Sequence, residues 1–246
     1  MKILLAPSET KRSGGTQAFN PNALLFDTLA PTRIKLLHAY TNIIQQGNMQ
    51  VLSKMFGIKK ETEILKHKKE LIHELTMKAI ERYTGVAFEY LGYATLDTHA
   101  QDYIDKNVML FSNLFGPILA SDFIPEYKLK QGEAVGDIKT EKFYHAHATM
   151  LIETYLAEEE ILDLRAGFYN KFYKPNRPYT TLKFIKEGKV VSHWAKAYRG
   201  IVLREIAKNN ITDINAFMHM NIKDLSVIEI IEKGIHTEVI YDILEA

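Results

Sequence analysis

Short apolar runs alternate with polar turns along the chain, and their spacing predicts a mixture of strands and helices. Lys2 to Leu5 is an apolar run closed off by Pro7 and reads as a buried strand. Residues 7–15, PSETKRSGG, follow as a polar loop. Pro31 and Thr32 open a helix that runs to about Gln45, with Ile34, Leu36 and Leu37 on its buried side. A second helix spans Met49 to Phe56 and stops at Gly57. From Glu61 to Tyr83, Leu65, Ile72, Leu75 and Ala79 recur at helical spacing while Lys66, Lys69 and Glu70 are polar, which predicts one long helix ending at Thr84-Gly85. Val86 to Tyr93 is a short apolar helix or strand.

In the second half, Val108 to Phe111 reads as a buried strand broken by Gly116 and Pro117, and Lys142 to Leu156 as a helix. Ile161 to Leu164 is a short strand. Thr180 to Ile185 and Val190 to Trp194 flank Lys186-Glu187-Gly188-Lys189, a hairpin signal. Ala195 to Lys208 is helical, with Tyr198, Ile201, Val202 and Ile206 as its apolar stripe. Val227 to Ile231 and Glu238 to Ile243 flank Gly234 as a second hairpin. No repeat or low-complexity linker interrupts the 246 residues. The expected fold class is mixed α/β (α+β): a single compact domain, 1–246, whose central, partly antiparallel sheet is covered by helices.

Composition adds little: 46% hydrophobic and 25% charged residues are ordinary for a globular chain. The absence of cysteine excludes disulfides, thiolate metal sites and cysteine nucleophiles. The apolar start is too short for a signal peptide, and no apolar stretch nears the roughly 20 residues of a membrane span, so a cytoplasmic protein without a membrane partner is expected.

Charge changes the picture more. The net charge is only +1, yet Arg165 to Arg204 holds ten basic residues and one acid, Glu187, for +9. From Glu205 onward the balance is −5. The basic residues interleave with Phe168, Tyr169, Phe172, Tyr173, Tyr179, Phe184, Trp194 and Tyr198. Bases next to aromatics suit a nucleic-acid surface, where cations neutralise phosphates and rings stack. The competing reading makes the rings core and the lysines solvated faces.

Within this segment, Lys196 and Arg199 lie three apart on one helix face, with His193 just before them, as an anion site or an exposed basic helix end. Ser8, Thr10 and the Gly14-Gly15 amides, with Lys11 and Arg12, would cradle a phosphate or form a polar surface loop; Glu9 is a candidate base or metal ligand. The P-loop spacing is absent. The Gly85 turn would aim backbone N–H groups at a DNA phosphate, as helix-hairpin-helix modules do, or simply end a helix. The nine histidines form no metal-binding spacing, His145 and His147 falling on opposite sides of a helix. No nucleophile-elbow or dinucleotide motif occurs.

Five separated blocks, in order, resemble the YaaA family of bacterial peroxide stress proteins: ILLAPSETK at the start, RYTGVAFEYL at 82–91, LFSNLFGPILASDFIPEYKLKQG at 110–132, ILDLRAGFYNK at 161–171 and SHWAKAYRG at 192–200. The chain is identified as a divergent member. Its loop lysine falls at Lys11 after Glu9, Ala120-Ser121 replaces the family's Arg-Pro, and Asp163-Leu164-Arg165-Ala166 replaces Asn-Leu-Ala-Ser. The resemblance transfers roles most directly onto Gly85, Tyr127, Lys128, Lys196, Arg199 and Gly200. It implies a cytoplasmic protein of hydrogen peroxide stress that limits iron-dependent damage to DNA. It further implies a compact mixed fold with a basic cleft and a helix-hairpin-helix-like element, and DNA binding as the activity, with no established reaction and no cofactor.

Three functions follow as expectations. The first is binding of duplex or branched DNA, with Lys11, Arg12, Gly85, Lys128, Arg165, Lys171, Lys174, His193, Lys196 and Arg199 as the DNA or anion site and no catalytic residue assigned. The second is an enzyme on a nucleotide or small phosphorylated substrate, held where the N-terminal loop, Lys128, Asp163, Arg165 and Lys196 converge, with Glu9 or Asp163 as acid/base. The third, iron sequestration, is disfavoured because cysteine and clustered His/Glu motifs are absent.

Overall fold

The apolar run at the start of the chain forms the strand Lys2–Leu5 (β1), in which Ile3 and Leu4 are fully buried. This computed structural model describes residues 1–244, and for Val190 and Ser192 the backbone alone; residues 245 and 246, the end of the expected 1–246 domain, lie outside the described residues. The further strands are β2 (Gln17–Ala18), β3 (Leu75–Lys78), β4 (Val108–Ser112), β5 (Gly116–Leu119), β6 (Phe123–Pro125), β7 (Ala134–Val135), β8 (Ile138–Lys139), β9 (Ile161–Asp163), β10 (Tyr179–Lys186), β11 (Lys189–Val190), β12 (Leu225–Lys233) and β13 (His236–Ile243). The helices are α1 (Ala30–Gln46), α2 (Met49–Phe56), α3 (Glu61–Lys66), α4 (Ala79–Arg82), α5 (Val86–Leu91), α6 (Thr98–Asn107), α7 (Thr140–Tyr155), α8 (Ser192–Lys208) and α9 (Ile214–Met218).

The main sheet has the order β12-β13-β10-β9-β1-β4-β5, with β11 beside β10. Its inner strands β13, β10, β9, β1 and β4 are parallel, and β12, β5 and β11 run antiparallel to their neighbours. The mixed α/β class and partly antiparallel sheet match the expectation. Register separates the two faces, because successive strand residues point to opposite sides. Ile3 pairs with Val108 and Leu162, and Leu162 with Thr180, so Thr180, Leu182 and Phe184 share the Ile3 face. There Phe184 stacks on Tyr198 of α8. Leu4 pairs with Met109 and Asp163 on the other face, where Phe111 stacks on Tyr173, which donates to Glu153 of α7. Helices therefore cover both faces, and β4 is buried along its whole length, as parallel strands in such layers are. One apolar cluster runs from Ile3 to Ile243.

Several expectations need correction. The helix predicted over Glu61–Tyr83 is instead α3, a 3-10 turn at Leu71–His73, strand β3 and the single-turn α4. Of the residues that set the helical period, Leu65, Ile72 and Leu75 are exposed and only Ala79 is buried, while Thr76, next to Leu75, is buried and pairs across to Gln17 and Pro125. Long-range strand pairing overrides local periodicity here. Gly116 and Pro117 do not break β4, which ends at Ser112 in a turn over residues 113–115; they open the return strand β5, pairing with Ser112 and Phe111, where Pro117 is tolerated on the sheet edge. The hairpin at Glu187-Gly188 forms, with both residues at positive φ (51° and 74°) as a type I′ turn needs. Its return strand is only β11, because helix α8 begins at Ser192 and Trp194 packs one turn from Tyr198. The β12–β13 hairpin forms as expected and is longer than predicted.

Candidate functional site

The strand order reverses direction beside β1. The chain leaves β1 for β4 on one side and later returns to β9 on the other, and the loops after β1 and β9 diverge. In open α/β sheets this switch point, at the carboxyl ends of the strands, is where a crevice forms and ligands bind. A cavity of about 410 Å³ lies there. Its walls come from Leu5 to Thr10 after β1, from Gly85 to Phe88 at the start of α5, and from Gln131. Leu164, Ala166 and Tyr169 after β9, with Lys196 and Arg199 on α8, complete it. Each of the five sequence blocks thus supplies part of one wall.

The loop of residues 7–15 is held from below by Arg82. This side chain is fully buried and donates to the carbonyls of Arg12, Gly14, Leu75 and Ile124, at 2.6 to 3.1 Å. Burial lowers its pKa, but a guanidinium keeps its charge in a protein, and four of its five N–H groups are satisfied by these carbonyls. Sequence reasoning missed this residue, since an arginine carries no sign of burial in the sequence. Thr10 adds a second tie: its Oγ1 donates to the Thr84 carbonyl at 2.9 Å, and the Thr84 N–H donates back to the Thr10 carbonyl. Gly85, at φ +108°, presses on this loop so closely that a Cβ would lie 2.7 Å from Ser8 Oγ.

Of the candidate cations among the described residues, only Lys196 and Arg199 line this cavity. Lys196 is exposed at the rim, and half-buried Arg199 lies between this cavity and a neighbouring one of about 300 Å³ over Asp163 and Lys183. Burial lowers the Arg199 pKa, opposed by the Asp163 carboxylate. His193 is exposed on the same helix. Lys128 donates to the Glu9 carbonyl at 3.4 Å and lies 4.0 Å from Glu9 Oε2, while Glu9 Oε1 accepts from the Gln131 N–H at 3.1 Å. Lys171, over the Phe168 ring, and Lys174 are exposed.

Three sequence-predicted phosphate ligands are placed otherwise. Lys11 turns its ammonium inward, 4.0 Å from the Tyr127 ring centre and 5.2 Å from Tyr83, and donates to the Ser8 carbonyl. Burial first, and then the Lys128 ammonium, bring its pKa down to about 7. Arg165 is buried, bidentate to Asp163 at 2.8 and 2.7 Å, and lies over the Phe111 ring. Its charge is spent inside the fold, and Asp163 is equally unavailable as an acid/base. Arg12 lines a separate crevice with Tyr83 and Phe88.

Below the loop, Tyr83 and Tyr127 share a hydrogen bond of 2.9 Å, and Tyr127 meets Ser112 at 2.8 Å. Burial raises both tyrosine pKa values. The expected helix-hairpin-helix region consists of the one-turn α4, Tyr83-Thr84-Gly85 and the six-residue α5.

A family model described as peroxide stress protein YaaA matches residues 1–230. The chain belongs to the YaaA family of peroxide stress proteins. An uncharacterized protein of Campylobacter jejuni is 45% identical over 246 residues, covering all of both chains. A UPF0246 protein of Corynebacterium glutamicum is 30% identical over 248 residues, covering 97% of this chain and 98% of the relative. One of Streptomyces coelicolor is 26% identical over 216 residues, covering 84% and 82%. Among the described residues of this YaaA protein, no helix is long and apolar enough to cross a membrane.

Proposed function

We propose that this YaaA protein binds DNA at the switch-point crevice and so limits iron-dependent damage to DNA during peroxide stress in the cytoplasm. The observation that carries this reading is the position of Lys196 and Arg199. Both stand on one helix and both line the cavity to which all five family blocks contribute. Lys171, Lys174 and His193, exposed in the same +9 segment, extend the positive field beyond the rim. The Gly85 turn adds backbone donors in the manner of a helix-hairpin-helix. Duplex or branched DNA is held through phosphates, so affinity falls steeply with salt. Fluorescence anisotropy with duplex, branched and single-stranded DNA across a salt series tests this. Submicromolar, salt-sensitive binding supports it, and no binding at low salt overturns it.

One observation favours a second reading, an enzyme on a nucleotide or small phosphorylated substrate. Glu9 and Lys196 line the same cavity, which places a carboxylate and a cation around one small volume. With Asp163 engaged by Arg165, Glu9 is the carboxylate left for acid/base work. A thermal-shift screen of phosphorylated metabolites, followed by product analysis, separates this reading from the first.

A further inference from the structure

The crevice is the wrong shape for a phosphate contact alone. A volume of about 410 Å³ is far too small for a duplex, yet it falls within the roughly 300–1,000 Å³ of pockets that enclose a small organic molecule. A site that bound only phosphate would need cations and N–H groups, as the rim provides. The interior is different: Leu5, Val86, Phe88, Leu164 and Tyr169 make most of its wall apolar or aromatic. Such walls take up a flat, weakly solvated group.

The polar groups divide in the same sense. Lys196 and Arg199 come from α8. Glu9 comes from the loop after β1, where the Gln131 N–H fixes Oε1 and leaves Oε2 4.0 Å from the Lys128 ammonium. A carboxylate is a poor neighbour for a phosphate and a good acceptor for the exocyclic amino group of a base. Tyr169 is fixed by its hydroxyl, which donates to Asn113 at 3.2 Å, so its largely buried ring is a pre-positioned part of the crevice wall.

Resting on the DNA-binding reading, we infer that the crevice accepts one unstacked nucleotide of the bound DNA. Its phosphate lies against Lys196 and Arg199, its base lies among Val86, Phe88 and Tyr169, and Glu9 accepts from the base amino group. Extruding a nucleotide from the stack is cheapest at a mismatch, gap or damaged position. This gives the protein a preference for such positions over intact duplex, and for amino-bearing bases over thymine. A free nucleoside monophosphate has the same chemistry and is the other source to be distinguished.

The test uses the full chain and DNA duplexes carrying 2-aminopurine, whose fluorescence rises when it leaves the stack, opposite a mismatch or a matched base. Anisotropy is read on the same samples. The expected result is binding together with a severalfold fluorescence rise, largest for the mismatch. The rise should be lost in Ala166→Phe, and in Gln131→Trp as an independent way of filling the cavity, each variant checked for a wild-type melting transition. Binding without any fluorescence rise overturns the inference and leaves the DNA-binding reading standing. Absence of DNA binding overturns both. A rise that survives both variants overturns the assignment to this cavity. In a separate arm, deoxyadenosine monophosphate is titrated by calorimetry. Tight binding of the free nucleotide without a 2-aminopurine response overturns the inference in favour of a small-molecule substrate.

Discussion

Gly200 on α8 lies directly against the Ala87 carbonyl of α5, so closely that a Cβ at Gly200 would overlap the carbonyl oxygen. This approach sets Lys196 and Arg199, within one turn of Gly200, beside the Gly85 turn. Gly200→Ala must therefore push the two helices apart. Overpacking of this kind costs about 1–3 kcal/mol. Urea denaturation should show that loss, and anisotropy should show weaker DNA binding, because the two cations move with the helix. A variant as stable as wild type would mean that the close approach does not hold α8 in place.

Lys11 makes stability depend on pH. In the folded protein burial brings its ammonium down to about 7, whereas in the unfolded chain it titrates at its ordinary value near 10.5. Between those values the unfolded state holds a proton that the folded state lacks, so stability rises with pH across the window. Below about pH 7 the ammonium is charged in both states and its burial cost is fully present. Lys11→Met should raise the melting temperature relative to wild type most at pH 6, with the gain shrinking by pH 10. A difference between variant and wild type that stays constant from pH 6 to 10 would contradict this placement of Lys11.

Arg165 and Asp163 form a buried bidentate pair. Removing one partner leaves an uncompensated charge, which costs about 3–5 kcal/mol. Arg165→Ala should lower stability by that order in chemical denaturation, whereas Lys171→Ala, at an exposed position, should leave it within about 0.5 kcal/mol of wild type. Equal effects from the two variants would show that the pair is not the interior anchor described.

Much of this was legible in the sequence, and the exceptions share a cause. Lys2–Leu5 and Met49–Phe56 were read at their observed bounds because local signals agree there: an apolar run before a proline, and a helix stopped by Gly57 in the left-handed conformation. Leu65, Ile72 and Leu75 misled because a helical period does not say which way a face points, and here the pairing of Thr76 with distant strands decided. Among the candidate site residues, Lys196, Arg199 and Gly85 do meet in one cavity. Lys11 and Arg165 do not serve there, since a basic residue reads the same whether its charge faces water, a tyrosine ring or a buried carboxylate. Gln131 was invisible as a wall residue, and Tyr169 was legible only as one ring of the basic segment, because the switch point that gathers them is a property of strand order.

The most direct test of the account is the salt dependence of DNA binding by the Lys196→Ala/Arg199→Ala double variant. Each phosphate contact adds about 0.9 to the slope of log affinity against log salt. Loss of two contacts should weaken binding at moderate salt by at least tenfold and lower that slope by about 1.8. Binding as tight as wild type, with an unchanged slope, would show that the crevice rim is not where this protein meets DNA.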